Sequence, residues 1–143
     1  MRIIGLDLGT KTLGVAVSDN TQTIATGLTT LRFEENKPEM SIDELKDIIN
    51  YYNPYLIVIG LPKNMNNTLG DAVIRTRNFI EILNNNFDIK VVEQDERLSS
   101  VSANNILIQA DLSRKKRKKN VDTIAATIIL QSYLDKRKEE KDE

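Results

Sequence analysis

At 143 residues, with 40% hydrophobic and 29% charged residues, the chain suits one globular domain with a proper core. It has no cysteine and no histidine. That excludes a disulfide framework, thiolate or imidazole metal sites, and Ser-His-Asp or Cys-His catalysis. Net charge is −1, yet one unbroken run, Arg114-Lys115-Lys116-Arg117-Lys118-Lys119, concentrates the positive charge and leaves the rest of the chain acidic. No apolar run reaches membrane-spanning length and the amino terminus reads as a strand, so a cytoplasmic protein without membrane association is expected.

The first strand is the apolar run Arg2-Ile3-Ile4-Gly5-Leu6, interrupted by Asp7. A carboxylate there is costly to bury unless a cation or hydrogen bonds compensate it. Gly5 and Gly9 leave room for a backbone or ligand to approach. Gly9-Thr10-Lys11 offers amides, a hydroxyl and an ammonium suited to a phosphate. The short link predicts a hairpin to a second strand, Thr12 to Ser18. Asp19-Asn20 is a turn pair, and Thr23 to Leu31 a third strand. A loop at 34–39 precedes Ser41-Ile42-Asp43-Glu44, a capping box opening a helix that Pro54 ends.

Tyr55 to Ile59 reads as a parallel strand buried on both faces, ending at Gly60. A polar loop runs from Gly60 to Gly70. A helix is expected from Asp71 to Leu83, with Val73, Phe79, Ile80 and Leu83 inward and Asn84-Asn85-Asn86 breaking it. Ile89 to Glu93 is the last strand, and Asp95-Glu96-Arg97-Leu98-Ser99-Ser100 lies beyond its carboxyl end. A helix after Ser100, the basic run and a final helix from about Val121 to Lys136 follow. Ile124, Ala125, Ile128 and Tyr133 are the apolar stripe of that last helix. Residues 137–143 are expected as a charged, disordered tail. The order βββ-α-β-α-β-α-α gives an α/β fold with a mixed five-stranded sheet: a three-strand antiparallel meander plus two parallel strands, flanked by helices.

Ligands in such sheets collect beyond the strand carboxyl ends, where Asp7, Gly60 and Glu96 fall. If the final helix crosses beside the first strand, Asp122 in its first turn can face Asp7. Carboxylates gathered that closely share protons or hold a cation. With no nitrogen or sulfur partner they favour hard ions, magnesium or manganese. Each acid also has a plainer use. Asp7 could bond the Thr10 or Lys11 amides, Glu96 could pair with Arg97 or Lys90, and Asp122 could be a helix-start acid favoured by the macrodipole. The basic run is either a solvated loop or a means of drawing in a phosphate backbone. Tyr51, Tyr52 and Tyr55 could stack bases or serve the core or an interface.

Ile4-Gly5-Leu6-Asp7-Leu8-Gly9-Thr10-Lys11 with Gly14-Val15-Ala16-Val17-Ser18-Asp19 resembles the opening of the YqgF/RuvX family. Ile59 to Met65 resembles its second motif, Asp95 to Ser100 its DER-L-[ST]-[ST] signature, and Asp111 to Lys119 with Asp122-Thr123-Ile124-Ala125-Ala126 its final block. The resemblance implies an RNase H-like nuclease domain over residues 1–136. It also implies a hydrolase dependent on Mg2+ or Mn2+, with Asp7, Glu96 and Asp122 as catalytic and metal-binding residues. The family is described both as Holliday-junction resolvases, by analogy, and as the nuclease maturing the 5′ end of precursor 16S ribosomal RNA. The expected partner is therefore structured RNA, with branched DNA as the alternative, and the expected state a monomer or weak homodimer. Thr10, Lys11, Arg97 and Arg114 to Lys119 (Arg114, Lys115, Lys116, Arg117, Lys118, Lys119) are the expected nucleic-acid contacts. The family usually has an acid or Asn and then Gly-Thr where Asn66-Asn67-Thr68 stands here. Asp-x-Gly-Thr-Lys also resembles the phosphate loop of actin-like sugar kinases and chaperone ATPases, which need two such domains.

Overall fold

The computed structural model describes residues 1–61, 70–95 and 121–142, with 95, 121, 122 and 138–142 given by backbone alone. Residues 62–69 of the loop expected from Gly60 to Gly70, Glu96, Arg97, Leu98, Ser99-Ser100, the helix after Ser100 and the basic run lie outside the described residues. The strands are β1 (Arg2–Leu8), β2 (Thr12–Ser18), β3 (Ala25–Arg32), β4 (Pro54–Leu61) and β5 (Lys90–Asp95). The helices are α1 (Ile42–Tyr52), α2 (Gly70–Asn86) and α3 (Val121–Asp142). They form one sheet in the order β3-β2-β1-β4-β5. β1 is antiparallel to β2 and parallel to β4, β2 is antiparallel to β3, and β4 is parallel to β5. This is the expected meander plus two parallel strands.

Alternation along the strands divides the core in two. Ile4, Leu6, Leu13, Val15, Ile57 and Ile59 pack with Leu45 and Ile49 of α1 and Phe79 and Leu83 of α2. On the opposite face Ile3, Ala16, Leu56 and Val58 pack against Ala126, Ile129, Leu130 and Leu134 of α3. β1 and β4 are buried on both faces, which is why they read as continuous apolar runs.

The elements depart from the sequence reading at several places. Residues 38–41 are a 3-10 turn with Pro38 at its start, not a loop. Ser41 therefore sits in the helical region (φ −86°, ψ −6°) and does not cap α1 through its side chain. Its hydroxyl donates back to the Pro38 carbonyl at 2.6 Å. Left-handed Asn53 (φ 50°) closes α1, its amide donating to the Ile49 carbonyl at 2.7 Å, and Pro54 opens β4 instead. Asn84 to Asn86 do not break α2. The Asn86 side-chain amide donates to the Ile82 carbonyl at 2.8 Å and the Phe87 amide to Leu83 at 2.9 Å, which completes the last turn. The helix α3 runs to Asp142, into the stretch expected as a tail.

The buried face of α3 is only partly the one expected. Ile128 is buried as expected, and Ala126, Ile129, Leu130 and Leu134 face the sheet, whereas Ile124, Ala125 and Tyr133 are half-buried. Residues 124–130 are almost all apolar, so periodicity alone does not select a face. The sheet selects it through small residues. Gly5, Ala16 and Gly27 are paired abreast on β1, β2 and β3. A Cβ on Gly5 would lie 2.7 Å from Leu130 Cβ, and one on Gly27 would lie 2.3 Å from Thr123 Cγ2. This trough seats α3 directly on the backbone.

Asp19 holds the β2–β3 turn. Its carboxylate accepts from the Thr23 amide at 2.8 Å, the Ile24 amide at 3.1 Å and the Thr21 hydroxyl. The Thr21 hydroxyl first, then the two amides, lower its pKa from 3.8 to about 2. A depressed carboxylate pKa contributes stability that is present above the unfolded value and lost as pH falls toward the folded one. The melting-temperature gap between wild type and Asp19→Ala should thus be constant above about pH 5 and close between about pH 4 and 2. A gap unchanged at pH 2 would contradict this account of the turn.

Candidate active site

Asp7 is the penultimate residue of β1, half-buried, on the face covered by α3. Its neighbours make room around it. On β2 it is paired with Gly14, and Gly14 is paired with Thr30 on β3. On the other side Leu6 pairs with Ile59, which sets Gly60 abreast of Asp7, and Gly60 pairs with Gln94 on β5. The cross-strand row is therefore Thr30, Gly14, Asp7, Gly60 and Gln94. Glycines on both sides remove the side chains that would otherwise pack on the carboxylate, and they leave the sheet backbone open to close approach. Gln94 is buried at one end of the row and Thr30 is half-buried at the other.

The first turn of α3 lies at this same end of the sheet. Thr123 and Thr30 share a hydrogen bond between their hydroxyls at 2.8 Å. Thr30 is two strands from Asp7, or about 10 Å at the usual interstrand spacing. The backbone of Asp122, adjacent to Thr123, is thereby brought to the end of the sheet that holds Asp7. From there α3 descends to the opposite end. Gln131 accepts from the Ala25 amide at 2.8 Å and donates to the Thr23 carbonyl at 3.0 Å. Arg137 reaches Gln22 at 2.6 Å and also bonds the Tyr55 hydroxyl.

Glu96 follows Asp95, the last residue of β5, and lies outside the described residues with Arg97 and the run from Arg114 to Lys119. Among the described residues no three acids gather closely enough to hold an ion. That set contains Asp7 but neither Glu96 nor the Asp122 side chain.

Thr10 and Lys11 are exposed in the turn that follows β1. The amides of this turn are not all available to a phosphate, as the sequence had suggested. The Gly9 amide donates to the Thr12 carbonyl at 2.8 Å, and a Cβ on Gly9 would lie 3.1 Å from Thr12 Oγ1. The Lys11 and Thr10 carbonyls accept from the Phe33 amide at 3.0 Å and the Asn36 amide at 2.8 Å, which fixes the turn to the chain after β3. What the turn presents outward is the Thr10 hydroxyl and the Lys11 ammonium.

The tyrosines stand elsewhere. Tyr52 lies beneath the Arg2 guanidinium, 5.5 Å from ring centroid to Arg2 Cζ, with Tyr51 edge-on to it at 4.8 Å. Tyr55 donates to Gln22 at 2.9 Å. All three are at or near the amino-terminal ends of β1 and β4, opposite Asp7. Gly60 is placed at a ligand-collecting strand end by the sequence, whereas Gly14, Thr30, Thr123 and Gln94 are not singled out for the site there. A glycine inside an apolar strand is the available signal for Gly14.

The comparisons agree with this architecture. The model of the family described as "RuvX: Holliday junction resolvase" matches residues 1–136. A protein of Thermoanaerobacter pseudethanolicus named "Putative pre-16S rRNA nuclease" is 50% identical over 139 residues, 96% of this chain and 99% of its own. One of the same name from Geobacillus sp. is 49% identical over 135 residues, 94% of this chain and 98% of its own. Thermus thermophilus RuvC, solved with a Holliday junction substrate, superposes with a TM-score of 0.66 at 12% identity, covering 97% of this chain and 96% of that one. The fold is RNase H-like, and the chain belongs to the RuvX family.

Proposed function

We propose that this chain is a divalent-metal-dependent nuclease that hydrolyses phosphodiester bonds in the 5′-end maturation of precursor 16S ribosomal RNA. The observation that carries the reading is the tie between Thr123 and Thr30, which brings the Asp122 backbone to the glycine-flanked row of Asp7. The residues fit a hard cation. Asp7 offers oxygen donors beside two strand glycines, and a chain without histidine or cysteine offers no softer set. Asp7, Glu96 and Asp122 would hold the ion or ions. When bound, magnesium or manganese supplies stabilisation of phosphoryl oxygens and a more acidic water.

The remaining roles belong to the chain. Thr10 and Lys11 receive the phosphate backbone beside β1. Arg97 stands next to Glu96 in sequence and serves the same backbone. The run from Arg114 to Lys119 attracts a polyanion that the acids would repel, without reading its sequence. The protein works in the cytoplasm as a monomer or weak homodimer. Among the described residues no helix is long and apolar enough to cross a membrane.

A second reading is resolution of Holliday junctions, favoured by the description of the family and by the RuvC complex whose fold this chain shares. The two separate in one assay. Purified protein with Mg2+ is given a precursor RNA spanning the 16S 5′ end and, in parallel, a four-way DNA junction. We expect cleavage of the RNA at least ~10-fold faster. Symmetric nicking of the junction with intact RNA would reverse the assignment, and cleavage of neither would end both.

A further inference from the structure

We propose that Thr30 and Thr123 are positioning residues that set the first turn of α3, and with it Asp122, against Asp7. This rests on the reading of Asp7 and Asp122 as metal ligands. The hydroxyl–hydroxyl bond at 2.8 Å joins residues 93 positions apart. One partner is in the row of Asp7, and the other is the immediate neighbour of Asp122.

The surroundings make this contact specific to register. Thr127 donates to the Thr123 carbonyl at 2.7 Å, so the neighbouring threonine is engaged within the helix and does not substitute. Gly27 allows the helix to sit close, with the site of its missing Cβ 3.0 Å from Thr127 Oγ1, but a glycine permits approach without selecting a rotation. A hydrogen bond between two short β-branched side chains does select one, because each has few rotamers. A rotation of the first turn would swing Asp122 around the helix axis while leaving the Ala126, Leu130 and Leu134 contacts lower down nearly intact. Geometry held to within about 0.5 Å is what a metal site demands of its supports, and outer partners of ligands alter metal affinity by about 10–100-fold when lost.

The test is Mn2+ binding to the intact protein by titration calorimetry, without nucleic acid, beside thermal melting. Thr30→Val and Thr123→Val keep the shape and remove the hydroxyl. Each should weaken Mn2+ binding by about 10-fold, the double variant should be no worse than either single one, and Thr30→Ser should bind within ~2-fold of wild type. Gln131→Leu removes the bonds that hold the same helix to the same strand further along. It should lower the melting temperature and leave Mn2+ affinity within about 2-fold. Unchanged affinity in both valine variants, with wild type binding and Asp7→Asn not, overturns the positioning role and leaves the metal reading intact. An equal loss in Gln131→Leu also overturns it, by showing that general loosening of α3 suffices. Absence of Mn2+ binding by wild type overturns both.

Discussion

Asp7→Asn should reduce cleavage by on the order of 10³-fold while the protein stays folded. The substitution keeps the size of the side chain and removes its charge. If Asp7 serves the structure, neutralising it should lower stability and spare activity. If it holds an ion, the reverse follows, because neutralising one of several neighbouring carboxylates relieves their repulsion while removing a ligand. The melting temperature should stay within a few degrees of wild type, and Mn2+ binding by calorimetry should be lost. Cleavage within 10-fold of wild type would remove Asp7 from the centre of the site.

The same residue shows what can be read from sequence. Asp7 stands out in the sequence because a charge in an apolar run is anomalous whatever lies around it. The strands were legible because β1 and β4 are buried on both faces and leave no ambiguity of alternation. Where a local rule met a nearby competitor, it failed. Ser41 has a capping-box sequence, but Pro38 three residues earlier begins a 3-10 turn that takes its hydroxyl. Three asparagines suggested a stop, but Asn86 completes the helix it was expected to end.

The candidate site reads from the sequence as a proposed set of acids and not as a geometry. The row of Thr30, Gly14, Asp7, Gly60 and Gln94 exists only once the register of five strands is fixed, and register is a long-range property. The face that α3 buries depends on glycines and an alanine in three different strands, none of them near it in sequence. Only the family resemblance suggests the proposed roles of Glu96 and Asp122. The residues themselves offered alternatives for each that spacing could not exclude.

That dependence on small residues gives the second large effect. Gly5→Ala should destabilise the protein by about 1–3 kcal/mol and Gly5→Val by more. Gly5 is on β1, the middle of the sheet, locked between β2 and β4. Its added Cβ would meet Leu130 Cβ at 2.7 Å and the Ala126 carbonyl oxygen at 3.2 Å. A central strand flanked by two ladders cannot retreat, so the helix must. Lifting α3 by the necessary few tenths of an ångström loosens its packing on Ile3, Ala16 and Val58. It also strains the Thr30–Thr123 bond, so activity should fall further than the population of unfolded protein explains. Gly70→Ala is the control, since among the described residues nothing lies within 4 Å of its added Cβ. At the start of α2 it should be neutral or stabilise by up to about 1 kcal/mol. Urea unfolding of the two variants compares them directly. Equal midpoints would show that α3 does not rest on the backbone of β1, and the glycine trough would lose its role in placing the helix.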